Sequence, residues 1–323
     1  MNLKKKIQKT LEQKKSNNLY RSLKTHKNFK LNFSSNDYLS LKNHPEIVQA
    51  SKLALENFGT SSSSSRLFSG TFDLHTELEK KLAEFFRRES ALVYGAGYLS
   101  NIGLISSLVS RDDVVVLDRL AHASLVDGAV LSRASIKRFR HNDLEHLEEV
   151  LVGLRENRTS SSNIFVVTES VFSMDGDLAP LDEIVELCRR FDSNLIIDEA
   201  HAFGVFGDGG RGVCGGVDFG DLNVFVTGTM SKAFVGYGGV ALVEKETKEY
   251  LVNTSRAFIY NTALSPANVA SVLASLRVIQ EHSSLGEELQ KKAEFFRSRL
   301  DDEGVEVMNS ESQIVPVLSL IHI

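Results

Sequence analysis

The chain has 323 residues, 42% hydrophobic and 24% charged, with a formal net charge of -5. That length suits a large domain and a smaller one in an ordinary globular protein. The acidic balance argues against a nucleic-acid partner, and no run approaches the roughly 18 apolar residues of a membrane span. Cys188 and Cys214 form no Cys-x-x-Cys pair, so no metal site or disulfide framework is expected and a reducing, cytoplasmic compartment fits.

The first residues predict a helical arm with Leu3, Ile7 and Leu11 on one side and a solvated lysine face on the other. Residues 29–33 read as a short strand, followed by a turn-rich Ser34-Ser35-Asn36-Asp37-Tyr38. A helix is expected over 45–58. After the serine run 61–65, a second amphipathic helix opens at Thr71, with Leu74, Leu78, Leu82 and Phe85 inward. Apolar strands at 91–94, 114–117, 164–168, 195–197 and 224–227 then alternate with helical segments. Several are continuously hydrophobic, as in a sheet covered on both faces. This is an α/β, doubly wound, mostly parallel pattern. Past Ser265-Pro266 a long helical stretch, broken near Ser283-Ser284, runs to about Asp302, and short strands follow at 305–307 and 314–318. The reading is therefore an arm with a short strand (1–44), a large domain (45–265), and a smaller α+β C-terminal domain (266–323) that reads as incomplete.

Open α/β sheets bind ligands at strand ends, and four such loops carry chemistry. Gly95-Ala96-Gly97-Tyr98 would let backbone N–H groups meet a phosphate at a helix N-terminus. It also matches a defective dinucleotide fingerprint, with Asp118 ending a later strand, so a nicotinamide oxidoreductase is the rival class. Asp118-Arg119-Leu120-Ala121-His122 brings a histidine to a strand end, where a structural role is the commoner one. Asp198-Glu199-Ala200-His201 supplies a carboxylate that could keep a pyridine nitrogen protonated. The helicase reading of that box fails, because the chain has no Gly-Lys pair to begin a phosphate loop. Gly228-Thr229-Met230-Ser231-Lys232 ends on a lysine among small and hydroxyl residues. Most loop lysines are solvated, but one in an apolar pocket can lose its proton and attack an aldehyde.

The order phosphate turn, histidine, Asp-x-x-His, lysine resembles that of fold-type I pyridoxal-phosphate enzymes, and the wording is closest to their α-oxoamine synthase family. The matching segments are Asn32-Phe33-Ser34-Ser35-Asn36-Asp37-Tyr38-Leu39, Asp118 to Leu125, Arg138-Phe139-Arg140-His141-Asn142-Asp143, Val171 to Asp177, and Ile259-Tyr260-Asn261-Thr262. The resemblance covers roughly residues 20–320. It implies pyridoxal 5'-phosphate held by Lys232, with His122 stacked on the ring and Asp198 at the ring nitrogen. Ser173 and His201 would lie near the phenolic oxygen. Gly97, Tyr98 and Thr229 would hold the phosphate, and Thr262 would reach the phosphate in a partner subunit of a homodimer. Arg21 and Asn36 match substrate-side positions, and Glu169 a supporting one. The segments around His122 and 138–143 favour the family member that condenses L-alanine with a pimeloyl thioester, on CoA or a carrier protein, on the route to biotin. The sister activities are glycine C-acetyltransferase, 5-aminolevulinate synthase and serine palmitoyltransferase. Two departures stand out: serines 61–65 replace a glycine-rich stretch, and family members continue beyond residue 323. The second keeps a truncated cofactor-binding subunit of little activity among the alternatives.

Overall fold

A computed structural model describes residues 2–23, 31–156 and 162–317. Helix α1 (Leu3–Ser16) is capped by the Asn2 side chain and has no buried residue; Leu3, Ile7 and Leu11 are all exposed. Helix α2 (Pro45–Phe58) has Pro45 in its first turn, where the missing N–H costs nothing, and stops at Gly59. Helix α3 (Asp73–Phe85) buries Leu78, Leu82 and Phe85; Leu74 is only partly covered.

The central strands are β1 (Ser90–Tyr94), β2 (Val114–Asp118), β3 (Ser135–Phe139), β4 (Ile164–Glu169), β5 (Asn194–Asp198), β6 (Val224–Thr229) and β7 (Gly239–Val243). Between them run α4 (Gly97–Leu108), α5 (Ala123–Ser132), α6 (Leu144–Glu156) and α7 (Leu181–Arg190). The chain then continues through α8 (Lys245–Thr254), α9 (Arg256–Ile259), α10 (Pro266–Glu281) and α11 (Leu285–Asp302). One seven-stranded sheet results, in the order β1-β7-β6-β5-β4-β2-β3. Strands β3, β2, β4, β5 and β6 are mutually parallel, whereas β7 runs antiparallel to both β6 and β1.

Alternate side chains of each central strand enter opposite cores. Val116, Val166, Leu195 and Ile197 face one, and Val115, Leu117, Val167 and Ile196 the other. Each of these buried side chains stabilises the fold by about 1.5–3 kcal/mol relative to exposure. The strands therefore read as unbroken apolar runs. Their carboxyl ends leave the core together, and Asp118, Glu169, Asp198 and Thr229 end β2, β4, β5 and β6. Sheet order reverses between β2 and β4, which is where such sheets open a ligand crevice.

Three expectations differ from the structure. Leu31 and Asn32 are irregular and Phe33–Ser34 form a turn, not a strand, with Ser34 N–H bonded locally to Asn32 Oδ1; residues 29 and 30 lie outside the described residues. The strands expected at 305–307 and 314–317 are irregular, because their polar groups bond locally: Val305 N–H to the Leu300 carbonyl and Ile314 N–H to Ser312 Oγ. Residue 318 is outside the described range. The serine run 61–65 is tied to the segment 262–264. Ala263 N–H bonds to the Ser64 carbonyl, Ser65 bridges Thr262, and Ser62 Oγ donates to the Leu264 carbonyl at 2.5 Å.

Candidate active site

A cleft of about 230 Å³ opens at the carboxyl ends of the parallel strands. Its floor is Asp198, brought up by β5 and only 5% exposed. Asn101 Nδ2 donates to Asp198 Oδ2 at 2.6 Å, and the Ala200 backbone N–H donates to Oδ1 at 2.8 Å. Asn101 itself is buried on α4. It also bonds Ser124 Oγ at 2.8 Å and accepts from Thr227 Oγ1 at 2.5 Å. Ser124 Oγ in turn lies 2.7 Å from His122 Nδ1. His122 caps the N-terminus of α5 at the mouth of the cleft, and its backbone N–H donates to Glu169 Oε1 at 2.7 Å. Burial, reinforced by the Asp198 charge, pushes the Glu169 carboxyl up to about 8.

At one end of the cleft the first turn of α4 has no side-chain cap, so its backbone donors are available to an anion. Gly97 lies against Thr229 so closely that an added Cβ would meet Thr229 Cβ at 2.8 Å. Thr229 and Ser231 place two hydroxyls there, 2.8 Å apart. Tyr98 is partly exposed at the rim and donates to Asp127.

Lys232 enters from the opposite wall, three residues past β6. Its Nζ is 2.7 Å from His201 Nε2. Burial lowers the Lys232 pKa to about 8, although the charges of Asp198 and Glu169 oppose the shift. His201 is driven down to about 3, by burial first and then by the Lys232 charge. Hence His201 is neutral and Lys232 is within reach of losing its proton near neutral pH.

Gly97, Tyr98, His122, Asp198, His201, Thr229 and Lys232 thus share one cleft, with Glu169 beside them. Four expected residues are outside its lining. Ser173 is half-buried in the loop 171–178, while Arg21 and Thr262 are exposed. Asn36 is exposed too, but its Oδ1 is 3.4 Å from the Tyr38 hydroxyl, which itself lies 2.7 Å from His201 Nδ1. Two residues of this network, Asn101 and Tyr38, were not picked out as site residues from the sequence. Asn101 had a readable signal, as an amide four residues after Gly97 on an otherwise apolar helix face.

The donor set fits a planar phosphorylated pyridine aldehyde. It offers an anion cradle too tight for a side chain at Gly97, a carboxylate on the floor, an imidazole at the mouth and an amine of lowered pKa on the wall.

Comparison with known proteins agrees. The family model for aminotransferase class I and II matches residues 28–322. A relative from Geobacter sulfurreducens, 8-amino-7-oxononanoate synthase, is 44% identical over 286 residues, spanning 88% of this chain and 72% of that protein. Among solved structures, serine palmitoyltransferase from S. paucimobilis with a bound PLP–myriocin aldimine superposes with a TM-score of 0.81. It is 33% identical, over 87% of this chain and 69% of that one. The 8-amino-7-oxononanoate synthase of Francisella tularensis gives a TM-score of 0.72 at 28% identity, over 87% and 78% of the two chains.

Proposed function

Because the chain belongs to the aminotransferase class I and II family, and within it to the α-oxoamine synthases, we propose that it condenses L-alanine with a pimeloyl thioester, carried on CoA or a carrier protein. The products are 8-amino-7-oxononanoate, carbon dioxide and the freed thiol. The chain is a pyridoxal-phosphate-dependent acyltransferase. The observation that carries the reading is Lys232 Nζ, held 2.7 Å from a neutral imidazole above a buried carboxylate.

When bound, the cofactor supplies an electron sink for negative charge formed at the amino acid's Cα. The residues then divide the work. Asp198, oriented by the Asn101 amide and the Ala200 N–H, would pair with the ring nitrogen. The α4 N-terminus with Thr229 and Ser231 would hold the phosphate, and His122 would cover the ring face. Lys232 anchors the cofactor, and its Nζ, once free, takes the Cα proton of the amino acid and later returns one. A lysine with a pKa near 8 serves both directions at neutral pH. His201 would lie by the phenolic oxygen; Ser173 is assigned there and Arg21 and Asn36 to the substrate side by the family resemblance, all three standing outside the cleft lining.

We assign the functional unit to a homodimer in which Thr262 reaches the partner's phosphate. Its exposed position outside the cleft lining, on a segment pinned to the serine run, supports this. A cytoplasmic setting fits two buried free cysteines. No helix among the described residues is long and apolar enough to cross a membrane.

The test is direct. Mixed with pyridoxal phosphate and reduced with borohydride, the chain should carry a pyridoxyl group on Lys232 in a peptide map, and Lys232→Ala should carry none. Labelling elsewhere would sink the assignment. Carbon dioxide release with pimeloyl-CoA should require alanine; release with glycine or serine instead would select a sister activity.

A further inference from the structure

Behind Lys232 a chain of contacts runs through His201 to Tyr38, a residue with no part in the reaction above. Lys232 Nζ meets His201 Nε2 at 2.7 Å, and the far side of the same ring, Nδ1, meets the Tyr38 hydroxyl at 2.7 Å. A neutral imidazole carries one proton, so one nitrogen donates and the other accepts. Which of the two presents the proton decides whether His201 gives a hydrogen bond to an uncharged amine or takes one from an ammonium.

The surroundings of Tyr38 favour one direction. Asn36 Oδ1, the other acceptor bonded to the Tyr38 hydroxyl among the described residues, is 3.4 Å away, too long to compete with a ring nitrogen at 2.7 Å. Gln313 also bears on this hydroxyl. Its carbonyl oxygen is occupied by Gln290 Nε2 at 3.2 Å, while its amide nitrogen donates to the His201 carbonyl at 2.8 Å. The Gln313 contact lowers the Tyr38 pKa, as a donor to the phenolic oxygen does, which leaves the phenolic proton free to point at His201.

We propose that Tyr38 is a positioning residue: its hydroxyl donates to His201 Nδ1, fixes the imidazole proton on Nε2, and so presents a hydrogen-bond donor to the uncharged amine of Lys232. The inference rests on Lys232 being the cofactor lysine. It adds a residue from the segment before α2 to a site otherwise built from strand ends. Asn36 and Gln313 face Tyr38. His201, Asp198 and Glu169 face Lys232, with His122 across the cleft. Asp198 and Glu169 raise the Lys232 pKa and burial lowers it; the proposed hydrogen bond from His201 adds to burial.

Two measurements on the full chain without added cofactor test this. The imidazole nitrogens of His201, observed by 15N NMR, should report the Nε2–H tautomer; an Nδ1–H tautomer would overturn the proposal. The pH dependence of Lys232 modification by a small amine reagent, followed by peptide mass spectrometry, gives the midpoint of its titration. In Tyr38→Phe that midpoint should move up by about half to one pH unit, the scale of one lost hydrogen bond. A folded Tyr38→Phe chain with an unmoved midpoint would also overturn it. Should that variant not fold, the wild-type tautomer alone decides. A wild-type chain that takes up no pyridoxal phosphate would instead overturn the function proposed above, while the tautomer and the titration would still judge Tyr38.

Discussion

Asn101 holds more of the site together than any residue that faces the ligand. It joins Asp198, Ser124 and Thr227 in one buried set, so the floor of the cleft and the histidine at its mouth are fixed through a single amide. Replacing it with alanine leaves a buried carboxylate and two buried hydroxyls each short of a partner. The expected cost is about 1–3 kcal/mol of stability, measured by urea unfolding. A matching loss of pyridoxal phosphate affinity should appear in a spectroscopic titration. Unchanged values for both would mean that Asp198 is held by Ala200 alone. Residue-scale legibility was uneven for a physical reason. Lys232, Asp198, His201 and His122 stand at strand ends, where apolar runs stop and chemistry begins, and so are visible in the sequence. Tyr38 contacts His201 across 163 positions of chain, and no local pattern marks such a pairing.

Elements come next, and here His141 matters. It sits between Asp118 Oδ1 at 2.9 Å and Asp177 Oδ2 at 2.7 Å, edge-on to Phe172. It thereby ties the end of β2 to the loop 171–178 that carries Ser173. Burial pulls the imidazole pKa down, but the hydrogen bonds and charges of the two aspartates outweigh it and lift the group from 6.5 to about 10. A pKa raised by folding adds stability that is complete below pH 6.5 and is lost as pH climbs through 10. The stability difference between wild type and His141→Gln should therefore be largest below pH 6.5 and shrink toward pH 10. Denaturant melts across that range check it; a constant gap would mean that the clamp is not ionic. The strands show the same division between readable and unreadable. Those buried on both faces are unbroken apolar runs and were expected. Strand β3, an edge reading Ser-Ile-Lys-Arg-Phe, was not, because edge exposure erases the apolar signal; β7 is the exception among the buried strands, a short Gly-Val-Ala-Leu-Val run that enters both cores and was not expected. The irregular stretch after α11 shows the converse: apolar residues alone do not make a strand without a neighbour to pair with.

At the scale of the whole molecule, the proposed sharing of sites between subunits has its own signature. If Lys232 comes from one subunit and Thr262 from the other, a mixed dimer of Lys232→Ala and Thr262→Ala chains contains one site with both changes and one with neither. Mixing the two variants should therefore create a population with wild-type cofactor affinity that neither has alone. Titrating pyridoxal phosphate into the mixture after exchange of subunits measures it. An additive response, with no tight class, would place Thr262 in a purely local role. The domain scheme drawn from the sequence rests on the change of character past Ser265-Pro266. In the structure, α10 is nonetheless buried along most of its length, with Val269, Val272, Leu276 and Ile279 in the same core as the sheet face.

Strand β7 has one more consequence, in time. It is the last strand among the described residues, yet it lies between β6 and β1. Tyr94 pairs with Gly239, and Thr229 pairs with Gly239 from the other side. During synthesis the phosphate turn after β1 emerges early and waits for about 150 residues before its neighbour exists. The cradle and the lysine wall cannot face one another until β7 is in place. Cofactor capture therefore reports that the sheet has closed, and a nascent chain that met pyridoxal phosphate sooner would have only fragments of the site to offer it. By binding only the closed sheet, the cofactor would also draw the folding equilibrium toward completion.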